Sequence, residues 1–312
     1  MPTPHLEAET SDQSSVSGMG RRRFVKLALG GAGLAAGVTG TGTLVASVRG
    51  ARTLEVTRHR VPNPIDTTRD IEGRLRLVQL SDLHLRTVSG HQERVAEATH
   101  REGPDLILLT GDTLHAGTPI SVMETFLGLL PASATKLAIM GNWEHRGTFM
   151  PSDFRDSFAR AGVQLLLNES VSLERPRGPR LTVSGIDDYL RGLPSWRETF
   201  RDVPSQGPHL LLAHCPAHRD ALTRDSATQG IVPELVLSGH THGGQVKVLG
   251  RAWALPSGSG PYVEGWYEDD GAPGDRRNAP LYVSRGIGTT FLPIRRGSTP
   301  EIAVFDWVGQ GG

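Results

Sequence analysis

The chain has 312 residues, and its 33 basic and 33 acidic side chains give a formal net charge of zero at pH 7. This balance excludes a polycation that binds nucleic acid by charge alone, so no nucleic-acid binding is expected. The single cysteine, Cys215, excludes a disulfide framework within the chain. We expect it to be a small buried side chain.

Residues 1–52 are predicted to be a leader, of which residues 1–20 are polar and predicted to be disordered. The run Arg21-Arg22-Arg23-Phe24-Val25-Lys26 resembles a twin-arginine signal, which makes the export machinery a partner. Residues 27–48 carry no charge and are long enough to span a bilayer, so a membrane anchor is the alternative. We expect an exported protein in the periplasm or cell wall, or at the outer face of the cytoplasmic membrane. Whether the signal is cleaved stays open.

From residue 53 onward, short apolar runs bounded by Gly, Pro or Asp predict strands, and longer periodic stretches predict helices. The predicted strands are Thr53–His59, Leu75–Leu80, Leu106–Thr110, Leu137–Met140, Gln164–Leu167, Leu181–Gly185, His209–Ala213, Leu235–Ser238, Gln245–Val248, Leu281–Ser284 and Ile302–Phe305. The predicted helices are His91–Glu102, Ile120–Leu130, Ser152–Ala161 and Pro216–Thr223. Strands that first alternate with helices and later follow one another predict two stacked mixed sheets flanked by helices, in one domain over residues 53–312.

Five of the predicted strands end in side chains that bind metal ions. These strand ends carry Asp82 and His84, then Asp112, Asn142 and His214, and finally His240 and His242. Because open α/β sheets bind ligands at the carboxyl ends of their strands, we expect these side chains to converge. Oxygen and imidazole ligands in this number favour a two-metal hydrolytic site that acts on a phosphoryl group.

The series D-x-H, G-D, G-N, H and G-H-T-H resembles the calcineurin-like metallophosphoesterase family, over residues 75–307. The segments 243–245, 281–288, 293–295 and 300–302 resemble one bacterial branch of exported or membrane-associated phosphodiesterases. That branch is similar to the enzymes that hydrolyse UDP-2,3-diacylglucosamine. The resemblance implies an α/β fold, a four-layer α-β-β-α sandwich of two mixed sheets.

The resemblance also implies the ligands of two divalent metal ions, Mn²⁺, Fe or Zn²⁺. Asp82, His84 and His242 would hold the first ion, Asn142, His214 and His240 would hold the second, and Asp112 would bridge them. The implied reaction is hydrolysis of a phosphodiester or pyrophosphate by a metal-bridging hydroxide. The substrate would be a small-molecule or lipid-linked phosphoester, such as a cell-envelope lipid or a nucleotide sugar. A phosphomonoesterase and a non-catalytic, metal-loaded binding protein stay open as alternatives.

One segment departs from the family pattern. The family usually reads G-N-H-[DE], whereas this chain has Gly141-Asn142-Trp143-Glu144-His145. Trp143 cannot transfer a proton, so either His145 replaces the usual histidine as the catalytic acid or the acid is missing. This favours a substrate with a good leaving group, since loss of a general acid costs about 10²–10⁴-fold. Trp143 is a candidate substrate contact that stacks on a base or covers acyl chains.

Other polar residues near the predicted strand ends have two interpretations each. Arg285 either binds substrate phosphate or pairs with a structural acid. Asp187 either orders a ligand histidine or makes a turn. His115 either reaches the substrate phosphate or faces solvent, and we expect the latter. Arg295 and Arg296 are expected at the surface. Tyr262, Trp266 and Tyr267, in the irregular stretch 256–280, either contact substrate or membrane or pack into the core.

Overall fold

The structure is a computed structural model whose contacts divide the chain into the units Met1–Ala46 and Ser47–Gly312. The predicted leader lies outside the described residues except for Gly50 and Ala51. In the part of the chain that is described, no helix combines the length and apolar character that crossing a bilayer requires. The structure describes residues 50–51, 53–61, 74–174, 180–225, 228, 230–268 and 279–307.

The first sheet has six strands, in the order β1-β14-β2-β3-β4-β5. Strands β2 to β5 run parallel, whereas β14 is antiparallel to β2 and parallel to β1. Their bounds are β1 Glu55–Arg60, β2 Leu75–Leu80, β3 Leu106–Thr110, β4 Thr135–Ile139, β5 Gln164–Leu165 and β14 Glu301–Trp307.

The second sheet also has six strands, in the order β12-β13-β9-β8-β7-β6. Its four central strands are parallel, and the edge strands β6 and β12 are antiparallel to their neighbours. A hairpin of β10 and β11 follows β9. The bounds are β6 Glu169–Leu173, β7 Leu181–Gly185, β8 His209–Leu212, β9 Leu235–Ser238, β10 Lys247–Val248, β11 Arg251–Ala252, β12 Gly265–Tyr267 and β13 Leu281–Val283.

The helices lie on the two outer faces, as the apolar pattern of the strands requires. In β3, Leu106 and Leu108 belong to the core between the sheets, and the alternate residues Ile107 and Leu109 pack towards the helices. Strands that are buried on both faces read as continuous apolar runs because helices cover a parallel sheet. The helices are α1 Gly90–Glu102, α2 Ile120–Leu127, α3 Pro151–Arg160, α4 Trp196–Thr199 and α5 His218–Arg224.

Three apolar clusters follow from this layering. The first joins the outer face of the first sheet to α1, α2 and α3, and the second fills the space between the sheets. The third covers the outer face of the second sheet with Trp196, Leu222 and Tyr262. The order of layers is therefore α-β-β-α, which confirms the predicted fold class.

The parallel strands carry the predicted metal ligands to the same edge of each sheet. β2, β3 and β4 are neighbours in the first sheet, and β8 and β9 are neighbours in the second. Gln79 of β2 links the two sheets, because its Nε2 donates to the carbonyl oxygen of Ser238 in β9 over 3.0 Å. The carboxyl ends of five strands consequently border one site between the sheets.

Candidate metal centre

The backbone at the strand ends adopts a conformation that few residues other than glycine accept. Asp82, His84, Asp112, His240 and His242 all have positive φ, between 44° and 72°. A left-handed conformation costs a non-glycine residue about 1–2 kcal/mol. Such strain persists where the surrounding structure enforces it, and it clusters at functional sites.

Two glycines allow the close approach of the strand ends. A Cβ at Gly239 would collide with the Ser81 hydroxyl and with the carboxylate of Asp82. A Cβ at Gly141 would collide with the carboxylate of Asp112. Both glycines directly precede a predicted ligand, so they bring the backbone of one strand end against a side chain of the next.

Asp82, His84 and His242 form the first group of converging side chains, and all three are buried. Their candidate ligand atoms all lie within 4.8 Å of one another. The Nε2 atoms of His84 and His242 are 3.0 Å apart, and Nε2 of His242 is 3.4 Å from Oδ1 of Asp82. The arrangement is that of ligands around a common cation.

Asp112, His214 and His240 form a second buried group of the same size. Nε2 of His214 lies 3.3 Å from Oδ2 of Asp112 and 3.2 Å from Nδ1 of His240. The same Oδ2 atom is 3.6 Å from Nε2 of His84, which belongs to the first group. One carboxylate oxygen of Asp112 thus lies between the two groups.

Carbonyl oxygens fix the tautomers of two histidines in the second group. Nδ1 of His214 is 2.8 Å from the carbonyl oxygen of Thr110, and Nε2 of His240 is 2.7 Å from that of Ser257. Since only an N–H can bond a carbonyl, the other ring nitrogen of each histidine is the one that presents a lone pair to the group when the ring is neutral.

The side chains fit a metal in a further respect. Asn142 is 3 % exposed, and its Oδ1 is buried without a hydrogen-bond partner. A buried oxygen in that state is costly unless something else binds it. Imidazole nitrogens together with carboxylate and amide oxygens form a donor set that suits first-row divalent ions. The two groups and Asn142 therefore fit a pair of such ions.

The ionisation of the histidines is set by burial and by Asp112. Burial lowers the pKa of His84 to about 3 and also lowers the pKa of His240 and His242. These rings are neutral at pH 7, which is the form that binds metal. Burial opposes charge on His214 too, but the Asp112 carboxylate raises its pKa well above the ordinary value. Without a cation, His214 therefore carries a proton beside Asp112.

Glu144 is a buried carboxylate that ties two strand ends together. It accepts hydrogen bonds from the backbone N–H groups of Asp112 at 3.0 Å, Leu114 at 2.9 Å and Gly141 at 2.9 Å. Burial and the nearby Asp112 raise the pKa of Glu144 to about 7. The sequence analysis assigned it no role, although its place two residues after Asn142, in the acidic position of the G-N-H-[DE] pattern, was a usable signal.

Comparison with known proteins gives the family. Residues 75–244 match the calcineurin-like phosphoesterases. The protein belongs to this family. The match spans the strand ends that carry the candidate ligands, the same segments on which the resemblance in the sequence analysis rests.

Three relatives illustrate the similarity. The chain is 29% identical over 294 residues to the uncharacterized metallophosphoesterase YkuE of Bacillus subtilis strain 168, which covers 92% of this chain and 97% of YkuE. It is 30% identical to the uncharacterized metallophosphoesterase YkoQ of the same strain, over 73% of this chain and 82% of YkoQ. It is 27% identical to the phosphodiesterase YaeI of Escherichia coli K12, over 81% of this chain and 88% of YaeI. As a metallophosphoesterase, the protein is a phosphoric ester hydrolase.

Trp143 occupies the position of the usual family histidine and lies beside the first group. Its ring is 5.1 Å from that of His84 and 4.3 Å from that of His115, on which it stacks. Phe291 contacts the same indole at 5.7 Å. His115 also bonds Arg86 over 2.9 Å and is only partly exposed, so the expectation that it simply faces solvent was wrong.

His145 is bound to Asp187. Its Nε2 lies 2.8 Å from Oδ1 of Asp187, and both side chains are largely buried. Burial alone would lower the pKa of His145, but this hydrogen bond and the neighbouring carboxylates raise it. Asp187 therefore orients His145, which is not one of the predicted metal ligands. It also accepts backbone N–H groups of its own turn, which is the second of its two predicted roles.

The arginines differ from one another. Arg285 pairs with Glu55 at 2.8 Å and with Glu301 at 3.2 Å. Of its two interpretations, the structure therefore shows the pairing with acidic residues of the fold. Arg295 is 2 % exposed, which corrects its predicted surface position. It donates to the carbonyl oxygens of Gly288 at 2.9 Å and Arg285 at 2.7 Å, and its Nη2 lies 3.1 Å from Nδ1 of His242. The neighbouring Arg296 is exposed, as predicted.

The aromatic residues of the stretch 256–280 pack against apolar clusters. Tyr262 packs in the third apolar cluster, and Trp266 packs against the second. Core packing is therefore observed for these two aromatic residues. Residues 269–278 of the same stretch lie outside the described residues. Cys215 is buried, as expected.

Proposed function

We propose that the protein hydrolyses a phosphodiester or pyrophosphate with two divalent metal ions bound between the sheets. The observation that carries this proposal is the position of Asp112, whose Oδ2 lies between the two ligand groups. One ion would be held by Asp82, His84 and His242. The other ion would be held by Asn142, His214 and His240, and Asp112 would bind both ions. Once bound, two such ions supply a nucleophile at neutral pH and neutralise charge on the phosphoryl group.

The choice of a diester over a monoester is supported by the phosphodiesterase YaeI, which is a relative over most of its length. Hydrolysis of bis-p-nitrophenyl phosphate and p-nitrophenyl phosphate by the Mn²⁺-loaded full chain distinguishes the activities, with Asp112→Asn as the inactive control. Faster turnover of the monoester would overturn the diesterase assignment.

His145 is the proposed proton donor. Because Asp187 binds Nε2, Nδ1 is the nitrogen left to act on a substrate, and the raised pKa of His145 favours the protonated ring. For a diester with an alkoxide leaving group, His145→Gln should lower kcat by about 10²–10⁴-fold. The loss should nearly vanish with a p-nitrophenolate leaving group. An equal loss on both substrates would show that His145 only supports the fold.

The proposed location is outside the cytoplasm, with export through the twin-arginine pathway. It is supported by the sequence pattern of residues 21–26 and the uncharged stretch that follows. Cell fractionation of the full chain and of the double variant Arg21→Lys/Arg22→Lys tests it. Loss of the exported form in the variant is expected, whereas unchanged export would contradict the pathway. The proposed substrate is a phosphoester of the cell envelope.

A further inference from the structure

The large exposed apolar side chains are concentrated at one edge of the molecule. Among the described residues there are two exceptions, Leu129 and Val232. They precede the amino ends of β4 and β9, which are at the opposite edge of the sheets. All the others lie in segments that follow the carboxyl ends of parallel strands, on the side of the metal centre. Single exposed apolar residues are ordinary, but a concentration on one side marks an interaction surface.

Five of these residues form what we name the apolar rim. They come from the β10–β11 hairpin and from the segment that follows β13. The members are Val248, Leu249, Trp253, Phe291 and Leu292, which are 45, 99, 54, 44 and 44 % exposed.

Hydrogen bonds fasten the two segments of the apolar rim to each other and to the site. Nε2 of Gln245 donates to the carbonyl oxygen of Leu292 over 3.2 Å, and Val246 forms a bridge with Arg296. Phe291 in turn contacts Trp143, which lies against His84. The rim is therefore continuous with the mouth of the metal centre.

The residue at the tip of the β10–β11 hairpin is energetically unfavourable at a surface that contacts only water. Leu249 and Gly250 both have positive φ, 51° and 78°. Two-residue hairpins of this kind favour Asn-Gly or Asp-Gly. A leucine here combines backbone strain with almost complete exposure of an apolar side chain, which indicates that the side chain acts in contact with another phase or molecule.

The exposed charges within the two segments of the apolar rim are cations. Residues 245–256 and 286–299 contain no acidic residue. Lys247 pairs with Glu264 and Arg295 is buried, which leaves Arg251 and Arg296 as the exposed basic side chains of these segments. Exposed apolar side chains with a tryptophan and flanking cations suit the interface of an anionic bilayer.

The chain enters the domain at the same corner. A Cβ at Gly50 would lie 2.9 Å from the carbonyl oxygen of Arg295, next to the exposed Arg296. Gly50 therefore lies on the same side of the domain as the apolar rim.

We propose that the apolar rim inserts into the surface of an anionic lipid bilayer. In this orientation the metal centre faces the bilayer. A convex hairpin tip with a projecting leucine suits insertion into lipid headgroups. The inference concerns binding alone, so its failure leaves the proposed hydrolysis standing.

An environment-sensitive fluorophore attached to Leu249→Cys in the full chain tests the proposal, since the native Cys215 is buried and does not compete for the label. Leu129→Cys, at the opposite edge, is the matched control. With phosphatidylglycerol vesicles, the probe at position 249 should shift to shorter wavelength and be quenched by brominated lipid, and the probe at position 129 should show neither change. Unchanged turnover of bis-p-nitrophenyl phosphate verifies that both labelled proteins are folded.

Lipid charge and a second variant complete the test. Arg251→Gln should weaken insertion into phosphatidylglycerol vesicles about fivefold, since one cation near an anionic surface contributes about 1 kcal/mol. It should leave binding to phosphatidylcholine unchanged. A probe at position 249 that stays in water on vesicles would overturn the proposal. So would a blue shift without vesicles that grows with protein concentration, because it would identify a second copy of the chain as the occupant.

Discussion

Glu144→Gln tests how the metal centre is assembled. One oxygen of Glu144 accepts the N–H groups of Asp112 and Gly141, and the other accepts that of Leu114. An amide has a single acceptor oxygen, so at best it serves the first two donors and faces Leu114 with its NH₂ group. An orphaned buried N–H costs about 1–3 kcal/mol, and the two remaining bonds lose the help of a charged acceptor.

The expected loss of stability is about 2 kcal/mol, because the neutral amide avoids the desolvation that raises the pKa of Glu144 to about 7. This corresponds to a fall in Tm of about 4–8 °C for a domain of this size. Since Glu144 holds the backbone of Asp112 and of the residue before Asn142, Mn²⁺ affinity should fall about 10–100-fold.

The measurement is thermal unfolding of the metal-stripped full chain at pH 8, followed by Mn²⁺ titration of the folded protein. Glu124→Gln is the matched control, because Glu124 pairs with Arg160 on the surface and such pairs contribute at most about 1 kcal/mol. If Glu144→Gln bound Mn²⁺ like the wild type, or unfolded no earlier than Glu124→Gln, the reasoning would be refuted.

Three further predictions concern the same site. Arg295→Met should destabilise the fold by about 3 kcal/mol or more, because the carbonyl oxygens of Gly288 and Arg285 lose the guanidinium that donates to them, and thermal unfolding measures this. Gly239→Ala should abolish metal binding by displacing the carboxylate of Asp82, as measured by metal analysis after dialysis. Metal binding should release protons and weaken as pH falls, because a cation must displace the proton that the raised pKa keeps on His214; calorimetry in buffers of different ionisation enthalpy detects it.

The first two of these predictions have a matched control variant each. Arg296→Met changes the exposed neighbour of Arg295 and should leave Tm unchanged; equal losses for the two variants would contradict the structural role of Arg295. For the second prediction, Gly103→Ala alters a left-handed glycine with free space around it, far from the ligands. Metal retention by Gly239→Ala would show that the strand ends can separate. Proton-independent metal binding would show that His214 is neutral before the cation arrives.

The central strands could be predicted because burial on both faces leaves an apolar run with clear ends. The bounds of β2, β3, β7 and β9 agree with the prediction. Strands β6, β11 and β12 were missed. β6 has the sequence ESVSL and is only partly buried, and β11 and β12 have two and three residues. Such edge elements are determined by the strand they pair with, which the local sequence does not show.

The candidate ligands could be predicted for a related reason, since each follows an apolar strand and its residue type is specific. The sequence did not allow us to predict the left-handed backbone of Asp82 or the burial of Arg295. Burial of an arginine depends on carbonyl oxygens contributed by residues 285–298 once that segment has folded, and the sequence of the segment carries no signal of that burial. The role of Glu144 likewise arises only when the segments after β3 and β4 meet.

The central claim is that two metal ions share Asp112. The most direct measurement is the metal content of the full chain after stripping, reloading with Mn²⁺ and dialysis, for the wild type and Asp112→Asn. The account predicts two ions per wild-type chain and the loss of at least one in the variant, together with the loss of bis-p-nitrophenyl phosphate turnover. A wild-type chain that retains one ion or none, or a variant that keeps two, would contradict it.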